Sequence, residues 1–111
     1  MIIKDLINKK LPDFINLCQS HKVKYIYAFG SSVTDKFDYK KSDIDLIVEI
    51  NDTDPIDKGE KLISLWDKLE NFFQRKVDLL TDKPIKNPYL RNSIESTKIL
   101  IYDGKSQKIL I

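Results

Sequence analysis

A chain of 111 residues, 41% hydrophobic, can bury one core and is too apolar to be disordered, so we expect a single domain spanning 1–111. Its apolar runs, such as residues 99–102, fall far short of the ~20 residues of a membrane span. Lys4 and Asp5 come too early for a secretory signal. Net charge of +2 argues neither for nor against a polyanionic partner, and Cys18, the single cysteine, excludes an internal disulfide and fits a reducing cytoplasm.

Taken in chain order, Ile2, Ile3, Leu6, Ile7, Leu11, Phe14, Ile15 and Cys18 recur at helical spacing. They predict a helix over 2–19 that Leu11-Pro12 kinks or restarts. Cys18 shares a stripe with Phe14, Ile15 and Leu17 and is expected to be buried, while His21 is expected as a helix C-cap or surface residue. Val23 to Phe29 is β-branched and aromatic and reads as a strand ending at Gly30. Residues 31–41 form a polar loop that can open with a helical turn, and 43–50 a second strand. After the turn cluster Asn51-Asp52-Thr53-Asp54-Pro55, the run Leu62, Ile63, Leu65, Trp66, Leu69, Phe72, Phe73 predicts a helix over 57–73, with Trp66 in the core or at a partner interface. A short strand follows over 76–80, then a helix from Pro88 to Ser96 or Thr97. Residues 98–102 and 107–111 flank Asp103-Gly104-Lys105-Ser106 as a terminal hairpin. The fold class is α+β, a small mixed sheet covered on one face by helices.

The chemistry lies in the strands. Asp43 and Asp45 stand i, i+2 in a strand, so they project from one face while Ile44, Leu46 and Val48 project from the other. Carboxylates that close repel each other and raise each other's pKa unless a cation sits between them. Hard oxygen ligands suit Mg²⁺, which binds one or two carboxylates together with substrate phosphates. Asp78, between apolar neighbours in Val77-Asp78-Leu79-Leu80, is costly if buried alone and makes sense beside the other two. Three carboxylates on one sheet face can hold two Mg²⁺ ions about 3.5–4 Å apart for in-line displacement at phosphorus.

Gly30-Ser31, Asp43-Ile44-Asp45 and the later Asp78 resemble the nucleotidyltransferase superfamily typified by DNA polymerase beta. The small size and the ending Val77-Asp78-Leu79-Leu80, Asn87-Pro88-Tyr89-Leu90-Arg91 and Ile99-Leu100-Ile101-Tyr102 resemble its minimal nucleotidyltransferases, the antitoxins of pairs with HEPN-domain ribonuclease toxins. The resemblance runs from about Val23 to Tyr102. It implies a polymerase beta-like fold in which Gly30 lets the backbone approach a triphosphate, Ser31 bonds its phosphates, and Ser42 joins the nucleotide site. Asp43 and Asp45 would ligate Mg²⁺; Asp78 would ligate a second ion and help deprotonate the acceptor. The reaction implied is transfer of AMP from ATP to a tyrosine of a HEPN toxin, with a hetero-oligomer as the working assembly. The alternative is an antitoxin that neutralises its toxin by binding alone.

The chain carries one residue more than the family's usual spacing between Ser and the first Asp, which we expect to lengthen the loop around 37–41. Asp35 and Asp38 lack strand spacing and read as loop charges. The carboxylate-rich part is joined to a basic tail of Lys83, Lys86, Arg91, Lys98, Lys105 and Lys108, which reads as a solvated surface or one that meets a phosphate or an acidic partner. Arg75 and Lys76 flank the third strand within reach of phosphate. No membrane association and no direct nucleic-acid binding is expected.

Overall fold

Pro12 divides the N-terminal apolar stripe into two helices, α1 (Ile2–Lys9) and α2 (Leu11–Ser20). It lies in the first turn of α2, where its missing N–H would have had no partner. This computed structural model describes residues 1–38, 40–81 and 85–111, so Lys83 of the basic tail lies outside the described residues. After β1 (Val23–Phe29) comes a 3₁₀ turn (Gly30–Val33), then β2 (Ile44–Ile50), α3 (Pro55–Phe73), β3 (Val77–Thr81), α4 (Pro88–Thr97), β4 (Ile99–Asp103) and β5 (Lys108–Ile109). β2 therefore begins one residue later than expected, and Asp43 stands just outside it. α3 begins two residues earlier than its apolar pattern, because Pro55 occupies the first turn and Asp54 caps it. The Asp54 carboxylate accepts from the amides of Ile56 at 2.8 Å and Asp57 at 3.4 Å.

The sheet order is β3-β2-β1-β4-β5. β1 runs antiparallel to both β2 and β4, whereas β2 and β3 are parallel and joined through α3. The expected terminal hairpin forms as β4 and β5, and Gly104 closes against β1. Its amide donates to Lys24 O at 2.8 Å, and a Cβ there would meet Val23 O at 2.3 Å, so no larger residue fits.

The helices cover both faces of the sheet, not one. α1, α2 and α3 pack on the face of Ile26, Leu46 and Val48 to form the main core. On the other face Phe29 and Ile47 are also buried, and α4 lies over them through Ile94. A strand with Ile47 among its carboxylates carries apolar area on both sides, and α4 removes the second side from water. Among the described residues no helix is long and apolar enough to cross a membrane.

Three side chains anchor this packing. Cys18 is fully buried, and burial pushes its thiol far above the ordinary range, which leaves it inert. His21 caps α2 but is not a surface residue; only 6% of it is exposed. Its Nδ1 pairs with Leu17 O at 2.9 Å and its Nε2 with Ser64 Oγ at 2.9 Å, which ties α2 to α3. Trp66 is 41% exposed, and its indole N–H donates to Val77 O at 2.7 Å, binding α3 to the first residue of β3.

Candidate active site

β1 and β2 bring the glycine-serine turn and the carboxylates together by register. Phe29 is the strand partner of Asp45, so Gly30 leaves β1 directly beside the Asp45 side chain. Gly30 has φ of +73°, a conformation L side chains rarely adopt, and a Cβ on it would lie 2.7 Å from Asp45 Oδ2. The chain then tightens into the 3₁₀ turn, with the Thr34 amide donating to Ser31 O at 3.2 Å. Ser32 points inward, fully buried, and its hydroxyl donates to Phe29 O at 3.3 Å. Ser31 is half-buried, and among the described residues its hydroxyl has no hydrogen-bond partner.

The third carboxylate arrives through the parallel pairing. Asp78 is the register partner of Asp45, on a strand roughly 4.8 Å away. Burial, reinforced by the negative charges of Asp78 and then Asp43, pushes the Asp45 carboxyl up to about 6. Asp43 stands at the mouth of the site, with Lys76 Nζ 3.9 Å from its Oδ2. At that distance and exposure Lys76 offers only weak neutralisation.

The donor set fits a hard divalent cation: oxygen ligands on adjacent strands, one of them half-buried and disfavoured as an anion by its neighbours. The cage is not preformed, for among the described residues no three His, Cys, Asp or Glu side chains are gathered closely enough to clasp an ion. Asp78 is exposed and Asp43 half-exposed, so each can turn at its own χ angles toward Asp45.

Ser42 plays a local part in this geometry. Its hydroxyl accepts from the Asp38 amide at 2.9 Å and its own amide donates to Asp38 O at 2.8 Å, closing the loop that leads into Asp43. Asp38 in turn accepts from the Lys40 amide at 2.8 Å, as befits a loop carboxylate. Phe37 folds this loop back onto the main core, with the Arg75 guanidinium 5.0 Å above its ring. Arg75, two residues before β3, thus braces the loop.

One contributor has no signal in the sequence. The Gly30 amide donates to Thr97 Oγ1 at 2.7 Å, so the end of α4 reaches the turn from across the second face of the sheet.

Residues 13–107 match the family model described as Polymerase beta, Nucleotidyltransferase. A protein of Methanocaldococcus jannaschii named as a protein adenylyltransferase is 37% identical over 99 residues, covering 89% of this chain and 94% of its own length. A second so named from the same organism is 39% identical over 85 residues, covering 77% and 83%. Among solved structures, a toxin–antitoxin with AMP-PNP superposes with a TM-score of 0.59 at 22% identity, over 88% of this chain and 80% of the other. A minimal nucleotidyltransferase does so with 0.56 at 22% identity, over 89% and 95%. These structural likenesses show the fold, which agrees with the α+β reading of the sequence.

Proposed function

Because the chain belongs to the polymerase beta nucleotidyltransferase family, we propose that it transfers AMP from ATP to a tyrosine hydroxyl of a HEPN-type ribonuclease toxin and thereby acts as a cytoplasmic antitoxin. The observation that carries this reading is the register pairing of Asp45 with Asp78 beside Gly30. It gathers carboxylates and an open glycine-serine turn at one end of the sheet, which is what nucleotidyl transfer needs. Relatives named as protein adenylyltransferases support a protein as the acceptor. The fold shared with a toxin–antitoxin structure containing AMP-PNP supports ATP as donor and a toxin as partner.

The roles follow from position. Ser31 presents its hydroxyl to the triphosphate where the chain turns out of β1, and Gly30 lets the backbone come close. Asp43, Asp45 and Asp78 would hold Mg²⁺, with Ser42 fixing the approach of the loop into Asp43. When bound, Mg²⁺ (two ions, on this reading) neutralises phosphate charge and makes the acceptor hydroxyl easier to deprotonate. Asp78, exposed at the mouth, takes the proton as the tyrosine oxygen bonds to the α-phosphorus and the bond to pyrophosphate breaks. The AMP left on the toxin adds bulk and negative charge to its surface.

The test is labelling with α-phosphate-labelled ATP, Mg²⁺ and the product of the gene beside this one, wild type against Asp45→Asn. Label on the partner with wild type alone supports the transferase. No label, with the partner bound tightly and inhibited, would replace it by neutralisation through contact.

A further inference from the structure

We propose that Thr97 is a positioning residue: from the C-terminal end of α4 it fixes the Gly30–Ser31 turn against Asp45. The inference rests on the nucleotidyl-transfer reading above and adds to it a residue from the opposite end of the chain. Thr97 is the last residue of α4 and is half-buried. Its hydroxyl works in both directions at once, donating to Ser93 O within the helix and accepting from the Gly30 amide at 2.7 Å. A hydroxyl used as both donor and acceptor has no rotational freedom left, so the oxygen is a fixed point.

That point is anchored in turn. Ile94, one turn back along α4, is 6% exposed and packs with Phe29 and Ile47 on the second face of the sheet. Phe29 is the residue before Gly30. The helix therefore grips the end of β1 twice, through an apolar contact at Phe29 and a hydrogen bond at Gly30. Since Gly30 lies in van der Waals contact range of the Asp45 carboxylate, whatever sets Gly30 also sets the spacing between Ser31 and Asp45. Small misplacements between a phosphate-binding group and a catalytic carboxylate are expensive in rate.

A second consequence is an assignment of donors. The Gly30 N–H is committed to Thr97 and is not a phosphate donor, so the turn serves phosphate from Ser31.

Thr97→Val keeps the shape and removes the acceptor, while Thr97→Ser keeps the hydroxyl and removes the methyl. Three readouts separate a positioning role from a structural one: exchange of the Gly30 amide proton by NMR, AMP-PNP affinity by titration, and KM against kcat for ATP. In Thr97→Val we expect faster Gly30 exchange, a loss of AMP-PNP affinity and a rise in KM of about fivefold each, the size of one hydrogen bond. Thr97→Ser should stay within about twofold of wild type, and the thermal midpoint of Thr97→Val should fall by roughly 4–8 °C, the cost of one hydrogen bond. Should Thr97→Val fail to fold, Thr97→Ala is read in the same way. Wild-type exchange or wild-type affinity in the valine variant overturns the proposal, as does equal loss in valine and serine variants. If wild type transfers no AMP, the proposed function fails, yet Gly30 exchange and AMP-PNP affinity still decide the role of Thr97. Absence of AMP-PNP binding by wild type overturns both.

Discussion

Gly30 and Asp45 are packed so closely that a single methyl group on Gly30 would sit 2.7 Å from Asp45 Oδ2. Gly30 opens the turn after β1 and Asp45 lies in β2, and they meet because Phe29 pairs with Asp45. The turn and the carboxylate are thus one unit, and neither can be altered alone.

Gly30→Ala tests that unit. Alanine at φ of +73° costs about 1–2 kcal/mol in backbone strain, which lowers the thermal midpoint by roughly 5–10 °C. The methyl also forces the Asp45 carboxylate aside, since Oδ2 at the end of that side chain is the first atom it would meet. Transfer of labelled AMP should fall more than about tenfold, while binding of the protein partner, measured by titration, stays within about twofold. A variant with full activity would mean that the contact does not constrain the site.

How far the sequence revealed this arrangement depends on where each signal resides. The i, i+2 spacing of Asp43 and Asp45 shows in the chain because a strand has a period of two, and the helical stripes show because a helix has one of 3.6. Asp78 was legible as a carboxylate out of place in an apolar strand, but its register opposite Asp45 is set by the β2-α3-β3 crossover. The second helical layer was not read, because Phe29, Ile47 and Leu80 look like ordinary strand residues until α4 is seen to bury them. His21 escaped for a similar reason: its partner Ser64 lies on another helix. Thr97 could not have been found at all. Its partner is a backbone amide far away in sequence, and a backbone N–H leaves no mark on residue identity.

Trp66 offers a control on the strand that carries Asp78 rather than on the Gly30–Ser31 turn. Its indole N–H satisfies Val77 O, and Val77 begins the strand that carries Asp78. Trp66→Phe keeps most of the apolar area and leaves that carbonyl without its donor. The expected cost is about 1 kcal/mol, or roughly 4–8 °C in thermal midpoint. ATP affinity should change by less than about twofold, as measured by titration, if β3 keeps its register.

Asp45 makes a prediction about pH whose sign is fixed by its environment. Burial, then Asp78, then Asp43 raise its carboxyl to about 6, above the ordinary value of 3.8 that the unfolded chain would show. The folded state therefore holds this proton more tightly than the unfolded state. The penalty for ionising Asp45 is fully present above about pH 6 and is relieved as pH falls toward 4. In metal-free protein, wild type should be less stable than Asp45→Asn at pH 8, and the gap should close by pH 4–5. The carboxylate is half-exposed, and after allowance for solvent screening the gap should be about 1 kcal/mol. Thermal melts of the two proteins across this range in EDTA would measure it. A gap that widens on acidification would contradict the like-charge crowding at the site.

The same crowding dictates how Mg²⁺ should act on stability. A dication between Asp45 and its neighbours offsets the burial and the repulsion that together raise the Asp45 carboxyl, so binding to the folded chain shifts its unfolding equilibrium by mass action. At ten times its dissociation constant, Mg²⁺ should add about 1.4 kcal/mol to wild type. Asp45→Asn should gain little, because the half-buried ligand has lost its charge. Acidification should weaken the effect in wild type, since below about pH 6 the ion has to displace a proton from Asp45. Melts with and without Mg²⁺ at pH 7.5 and pH 5, each reversed with EDTA, give the comparison. Equal stabilisation of both proteins at both pH values would place the bound ion away from Asp45 and would remove this carboxylate from the metal site.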